Sequence, residues 1–79
     1  PVMVTLQIDG GKKQKLRPGD IVGALTGKDG IEGKQVGKIH VMDRYAYVAV
    51  HKAAAKVALN KLIQGQMKGR NFRARWVGY

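Results

Sequence analysis

DRYAYVAV, residues 43–50, alternates two tyrosines with small or branched apolar residues. In a β-strand this spacing places Tyr45 and Tyr47 on one face and aliphatic side chains such as Val48 on the other. The aliphatic face is expected to pack into a core. The tyrosine face is then either a second packed surface, beneath a terminal segment containing Trp76 or Tyr79, or a surface that meets a partner.

The segments around this strand predict the element order β-α-β-β-α-β. Strands are predicted over residues 2–9, 37–43, 43–50 and within 67–79, and helices from Pro18 to Gly27 and over 51–65. Right-handed crossovers turn this order into a split βαβ sandwich of the α+β class. We therefore expect residues 1–79 to form a single domain, with a four-stranded antiparallel sheet of order 4-1-3-2 and both helices on one face.

The charge of the chain is strongly positive and unevenly distributed. The 79 residues carry a net charge of +10 and no cysteine. Residues 44–79 contain no acid at all. Such a basic domain favours a polyanionic partner, with nucleic acid first and an anionic membrane surface second. A basic chain without cysteine fits a reducing, cytoplasmic location, and no apolar run approaches the roughly 20 residues needed to span a membrane.

The predicted topology leaves one face of the sheet open, and the side chains on that face resemble a binding surface for single-stranded RNA. Unpaired bases stack on aromatic rings while cations meet phosphates. From strand 4 to strand 2, the predicted open face carries Arg73, Arg75, Thr5, Gln7, Tyr45, Tyr47 and His40.

Two further basic clusters lie in loops. The loop after the first strand contains Lys12, Lys13, Lys15 and Arg17, and the turn before the last strand contains Lys68 and Arg70. These cations are predicted to position an RNA through its phosphates. The sequence leaves open whether the two clusters lie at different ends of the sheet or along one edge. By contrast, Lys52, Lys56 and Lys61 are expected to form only the solvated face of the second helix.

The third strand resembles part of the RNA recognition motif signature K/R-G-F/Y-G/A-F-V-x-F/Y. Matching residues are Tyr45, Ala46, Tyr47 and Val48, whereas Asp43, Arg44 and Val50 depart from the signature. Thr5 stands where that family usually has a first-strand aromatic residue.

A resemblance over most of the chain is more specific. The segments IDGGKKQKLRPGDIVGALTG, VGKIHV, YVAV and KGRNFRARW resemble the C-terminal RNA-binding domain of DbpA-type DEAD-box RNA helicases. The resemblance implies an RNA-recognition-motif fold that binds hairpin 92 of 23S rRNA and tethers an ATP-dependent helicase core during large-subunit ribosome assembly. It also implies that this chain is a fragment of a larger helicase, with ATP and Mg²⁺ bound only by the parent core.

Other functions are less well supported. The chain has no serine or cysteine and no acidic pair or His/acid set at useful spacing, so we expect no catalytic residue, metal or cofactor in it. Residues 27–30 match the G-x-x-G of KH domains, but the glycines that follow leave no room for the required helix. The alternatives are a protein-interaction module or a basic structural rRNA-binding protein with the same fold. The isolated domain is expected to be monomeric. Its expected partner is RNA, and it is not expected to bind a membrane.

Overall fold

The computed structural model describes residues 3–67 and 69–77, except the side chain of Gln66. The strands are β1 (Met3–Ile8), β2 (Val36–Val41), β3 (Ala46–His51), β4 (Gln66–Met67), β5 (Arg70–Asn71) and β6 (Ala74–Trp76). The helices are α1 (Pro18–Thr26) and α2 (Ala55–Gln64), and short 3₁₀ turns cover Lys12–Gln14, Gly33–Gln35 and Lys52–Ala54.

The main sheet has the strand order β2-β3-β1-β6 and is antiparallel throughout. With β6 as the fourth strand, this is the predicted order, and the α+β class is confirmed. The central pair is in continuous register from Met3 opposite His51 to Ile8 opposite Ala46. The register of β2 shifts between Val36 and Ile39, which is a local irregularity in the edge strand.

The core lies between the sheet and the two helices. The buried apolar side chains of β1 and β3 alternate as the sequence predicts, and helical residues at three- and four-residue spacing cover them. The fully buried larger side chains are Val4, Leu6, Ile8, Ile21, Leu25, Val48, Val50 and Leu62.

Helix α1 begins and ends where the residue types favour it, and α2 ends at such a residue. Pro18 occupies the first turn of α1, where a missing N–H costs little, and Asp20 accepts a hydrogen bond from the Arg17 backbone N–H at 3.0 Å. Gly27 follows the last helical residue. Gly65 ends α2 in the same way, after a helix whose Ala58 and Leu62 are completely buried.

The segment after α2 differs from the prediction of one continuous last strand. β4 and β5 pair only with each other, in a small hairpin whose turn includes Gly69 at φ +72°. Phe72 then leaves the strand path and is buried at 8% exposure. The sheet strand β6 therefore begins only at Ala74, because the Phe72 ring is inserted into the core first.

We predict that Gly23→Ala stabilises the domain. Gly23 lies inside α1, is exposed, and has no atom within 4 Å of the position that a Cβ would occupy. Alanine is favoured over glycine in a helix interior by about 0.5–1 kcal/mol. Thermal unfolding should show a rise of about 3–6 °C in Tm for a domain of this size, and a lower Tm would contradict the geometry of α1.

Candidate nucleic-acid interface

The topology brings the two basic clusters to the same end of the sheet. β1 and β2 finish at this end, where β3 and β6 begin. The loop after β1, the β2–β3 hairpin turn and the segment that leads into β6 therefore meet there. We call this region the basic end, and its cations are Lys12, Lys13, Lys15, Arg17, Arg44, Arg70 and Arg73.

The loop after β1 is attached to the β2–β3 hairpin by two backbone hydrogen bonds. The Lys12 N–H donates to the Met42 carbonyl at 2.8 Å, and the Lys13 N–H donates to the Asp43 carbonyl at 2.9 Å. Gly11 allows this approach, since a Cβ there would lie 2.1 Å from the Met42 carbonyl oxygen. The second glycine of the GGKK segment is therefore a packing requirement, and the two lysines that follow are fixed beside the hairpin.

Further contacts fix the loop on its other side. A Cβ at Gly10 would lie 2.4 Å from the Phe72 ring, so the ring packs directly on the backbone. The Gln14 side chain accepts a hydrogen bond from the Gly11 N–H at 2.7 Å. Leu16 is buried at 2% exposure and donates its N–H to the Gly11 carbonyl at 3.0 Å. Hydrogen bonds and packing contacts thus hold the backbone of the loop, and its exposed lysines project from that backbone.

Three surface depressions surround this loop. One of about 340 Å³ is lined by Lys12, Lys15, Leu16 and Arg17. A second, of about 370 Å³, is lined by Lys13, Gln14, Lys15 and Arg70. The third, of about 570 Å³, is lined by Lys12, Lys13, Met42, Asp43, Arg44 and Tyr45. The second depression answers the question that the sequence left open, because it places Arg70 beside the lysine loop.

The cations of the basic end have no carboxylate partner among the described residues. Among the described residues, an ion pair joins the Lys34 ammonium group and the Glu32 carboxylate at 3.2 Å. This pair lies before β2, at the end of the sheet opposite the basic end. All seven cations of the basic end are exposed. Their charge is therefore available to a polyanion, and binding would release counterions rather than break existing ion pairs.

The open face of the sheet carries a row of side chains across all four strands. His40, Tyr47, Gln7 and Arg75 are successive partners in the strand register, from β2 to β6. His40 and Arg75 are exposed, and Tyr47 is half-buried. Gln7 is only 7% exposed between its two neighbours, and its amide nitrogen lies 3.5 Å from the Asp9 carboxylate. The row offers the Tyr47 ring, the His40 imidazole and one guanidinium group, with little of Gln7 accessible for base contacts.

The remaining predicted open-face residues lie around this row. Tyr45 precedes β3 and is 45% exposed, in the hairpin turn rather than inside the strand. Arg73 is exposed, and its carbonyl accepts from the Asp9 N–H at 2.9 Å. Thr5 is half-buried opposite Ala49. The tyrosines thus do not face the helices, and the predicted contact residue Lys68 lies outside the described residues.

The lysines of the second helix are separate from the basic end. Lys52 and Lys56 are exposed, and Lys52 follows the far end of β3. The Lys61 ammonium group donates a hydrogen bond to the Lys28 carbonyl at 2.7 Å, and so helps to attach α2 to the loop after α1. Lys61 therefore has a structural contact in addition to the expected solvation.

Sequence reasoning missed the contribution of the β2–β3 turn. Arg44 and Met42 line the same depression as Lys12 and Lys13. Arg44 stands directly before the tyrosine pair, so its position was visible in the sequence. Its proximity to the lysine loop was not, since that depends on the backbone contacts of Gly11.

The described residues show neither a membrane-spanning helix nor a metal-binding cluster. Within residues 3–67 and 69–77, no helix has the length and apolarity that a membrane crossing requires. The same residues contain no cluster of three His, Cys, Asp or Glu side chains that could hold a metal ion.

Taken together, the sheet topology and the basic end define an α+β domain with an RNA-recognition-motif-like fold and a strongly cationic surface. The family described as the DbpA RNA binding domain matches residues 5–75. The chain belongs to this family of RNA-binding domains.

Individual relatives show the same similarity. The ATP-dependent RNA helicase DbpA of Escherichia coli (strain K12) is 52% identical over 73 residues, which is 92% of this chain and 16% of the helicase. The helicase of the same name from Bacillus subtilis (strain 168) is 30% identical over 71 residues, which is 90% of this chain and 15% of that helicase. The ATP-dependent RNA helicase DeaD of Mycobacterium tuberculosis is 29% identical over 69 residues, which is 87% of this chain and 12% of that helicase. The chain thus spans about one sixth or less of the length of these relatives.

Proposed function

We propose that the chain binds a structured ribosomal RNA through its basic end and, as part of a longer protein, tethers an ATP-dependent DEAD-box helicase core to that RNA. The observation that carries the proposal is the convergence of the lysine loop, the β2–β3 turn and Arg70 at one end of the sheet. The relatives are named as ATP-dependent RNA helicases, which supports the proposed tethering of a helicase core.

In this mechanism the phosphates and the bases meet different parts of the surface. Phosphates bind the cations around the lysine loop, because these side chains are exposed and held on a fixed backbone. Unpaired bases stack on Tyr45 and Tyr47, beside the loop and on the open face. If about six phosphates are neutralised, log K falls with log[salt] with a slope on the order of −4 to −6.

The proposed RNA is hairpin 92 of 23S rRNA, and the proposed process is assembly of the large ribosomal subunit. The quoted sequence resemblance to DbpA-type helicases supports this assignment. A rigid, cationic surface with exposed rings suits a folded hairpin, which presents closely spaced phosphates beside unpaired loop bases. In this proposal, residues outside this chain hydrolyse ATP. The domain only positions the helicase core at the RNA.

The test is fluorescence anisotropy with a labelled hairpin 92 fragment and a hairpin of equal length whose loop and stem sequences are scrambled. The two RNAs carry equal charge, so a preference for the first reports recognition beyond electrostatics. Between 50 and 200 mM salt the affinity should fall by about 250- to 4,000-fold. A protein-interaction module would show no RNA retention at low salt, and equal binding of both hairpins would remove the rRNA assignment.

We predict that Tyr47→Ala weakens RNA binding without unfolding the domain. Tyr47 faces away from the helices and is half-buried, so its ring contributes to the open face rather than to the core. Loss of one base stack costs about 1–3 kcal/mol in affinity. Tyr47→Phe keeps the ring and serves as the control, with near-normal binding. Equal affinities of Tyr47→Ala and wild-type protein in the anisotropy assay would exclude stacking at this position.

A further inference from the structure

The single tryptophan of the chain lies at the edge of the main sheet, in β6. Trp76 is opposite Leu6 in the strand register, so its side chain is on the helix side of the sheet and does not cover the tyrosines of the open face. Leu6 is completely buried, whereas Trp76 is 42% exposed, because β6 is the last strand at this edge. A large aromatic side chain thus remains accessible to a partner beside the sheet.

The backbone of β6 also offers free donors at this edge. The Arg73 carbonyl and the Val77 N–H are both bonded to β1, at 2.9 and 3.1 Å. Backbone groups alternate in direction along an antiparallel edge strand, so the N–H groups of Ala74 and Trp76 point away from β1. In the part of the chain that the structure describes, no strand pairs with that side of β6. Two N–H donors are therefore available beside the tryptophan.

The arginines of this strand supply positive charge without a partner of their own. Arg73 and Arg75 are exposed, and their guanidinium groups make no hydrogen bond or ion pair with any described residue. Arg70 precedes them beside the lysine loop. Residues 44–79 contain no acid, so this segment adds no negative charge. The edge of β6 therefore continues the positive surface of the basic end along the side of the sheet.

We propose that the edge of β6 binds a single-stranded segment of RNA that adjoins the structured RNA at the basic end. One unpaired base stacks on Trp76, and Arg73 and Arg75 contact the neighbouring phosphates. The outward N–H groups of Ala74 and Trp76 donate to phosphate or ribose oxygens. The proposal rests on the proposed function, because it adds a second RNA contact to the one at the basic end.

The groups at this edge favour RNA over an added protein strand. A protein strand that extends the sheet needs a row of outward N–H and C=O groups. β6 has three residues, and only two of them direct these groups outward. Stacking needs one exposed ring, and it tolerates any base because every base has a flat face. The edge should therefore distinguish unpaired from paired RNA without preferring a particular base.

The test is fluorescence anisotropy of the 79-residue chain with the hairpin 92 fragment, with and without a single-stranded adenosine extension at its 5′ or its 3′ end. At one of the two ends the extension should raise the affinity by about 5- to 150-fold, which is the contribution of one stacked base. The matched control is an extension of equal length made of abasic nucleotides. It adds the same phosphate charge without bases, so it should give only a small part of the gain.

Substitutions of Trp76 separate stacking from packing. Trp76→Leu keeps an apolar side chain at the edge of the core but removes the ring, so this variant should lose the gain from the adenosine extension. Trp76→Phe is the matched control, because it keeps an aromatic ring and should keep most of the gain. Both variants should bind the unextended hairpin as wild-type protein does, since Trp76 lies outside the basic end. Thermal unfolding checks that both variants are folded.

Tryptophan fluorescence gives an independent readout of the same contact. Trp76 is the single tryptophan of the chain, so the signal reports this position alone. A base stacked on an indole ring quenches its emission. The adenosine-extended hairpin should therefore quench the fluorescence more strongly than the abasic-extended or the unextended hairpin.

The outcomes distinguish this proposal from the proposed function. If Trp76→Leu gains as much as wild-type protein from the adenosine extension, or if the abasic extension gives the whole gain, stacking on Trp76 is wrong. If neither extension raises the affinity or quenches the fluorescence, the edge of β6 does not bind RNA. In each of these cases hairpin binding by the basic end still stands. If the chain binds no RNA at low salt, the proposed function itself fails.

Discussion

Replacing Lys12, Lys13 and Lys15 together by alanine should lower the affinity for hairpin RNA at 100 mM salt by about 100- to 500-fold. Each lysine that neutralises one phosphate contributes up to about 0.9 to the slope of log K against log[salt]. Losing three contacts should therefore make the slope shallower by about 2 to 2.7 units. Anisotropy titrations at several salt concentrations measure the affinity and the slope in the same experiment.

The matched control for this variant replaces Lys34, Lys52 and Lys56. These lysines are also exposed, and their removal changes the net charge equally. Lys34 and Lys52 lie at the end of the sheet opposite the basic end, and Lys56 lies on α2. The control should retain most of the affinity and the slope. Equal losses in both triple variants would show that RNA responds to overall charge and not to the lysine loop.

Gly11→Ala should destabilise the domain by about 2–4 kcal/mol although it adds one methyl group. The added Cβ would lie 2.1 Å from the Met42 carbonyl oxygen and 2.9 Å from Asp43 backbone atoms. No side-chain rotation relieves a contact with backbone, so the loop must separate from the hairpin. Separation breaks the hydrogen bonds of Lys12 and Lys13, each worth about 0.5–1.5 kcal/mol. Urea denaturation measures the free energy of unfolding.

RNA binding gives a second readout for Gly11→Ala. The variant removes no charge, yet it displaces Lys12 and Lys13 from the Asp43 and Arg44 turn, so the affinity of the folded protein should fall. Gly23→Ala is the control, because the same substitution inside α1 should stabilise the protein and leave binding unchanged. A Gly11→Ala protein within about 0.5 kcal/mol of wild-type stability would show that the loop and hairpin are not held together as described.

Much of the fold was predictable because its strands and helices have regular patterns of short period. The alternation in β1 and β3 identified the buried residues Val4, Leu6 and Val48. Glycines and a proline marked the ends of α1 and α2. The order of the sheet then followed from the handedness of crossovers rather than from any single residue.

The last part of the chain was harder to predict for a physical reason. Phe72 and Trp76 alternate with arginines as a continuous strand would require, yet Phe72 packs on Gly10 and interrupts the strand path. Arg70 and Asn71 pair with β4 instead of joining the sheet. These are contacts between segments that are distant in sequence, and a local pattern does not encode them.

The candidate site was likewise predictable in its residue types but not in its contacts between distant segments. The cations and tyrosines were identifiable from residue type, but the second glycine of GGKK was recognised only as a loop residue. Its contact with the Met42 carbonyl is what joins the lysine loop to the turn carrying Asp43 and Arg44. The proximity of Arg70 to Lys13 and Lys15 likewise depends on the direction of β6 relative to β1.

The most direct measurement for the central claim is an NMR titration of ¹⁵N-labelled chain with the hairpin 92 fragment, following each backbone amide. Binding at the basic end predicts the largest shift changes in residues 10–17, in residues 42–47 and at Arg70, with little change in residues 52–64. Changes confined to α2, or spread evenly over all exposed lysines, would contradict the assignment of the RNA site to this end of the sheet.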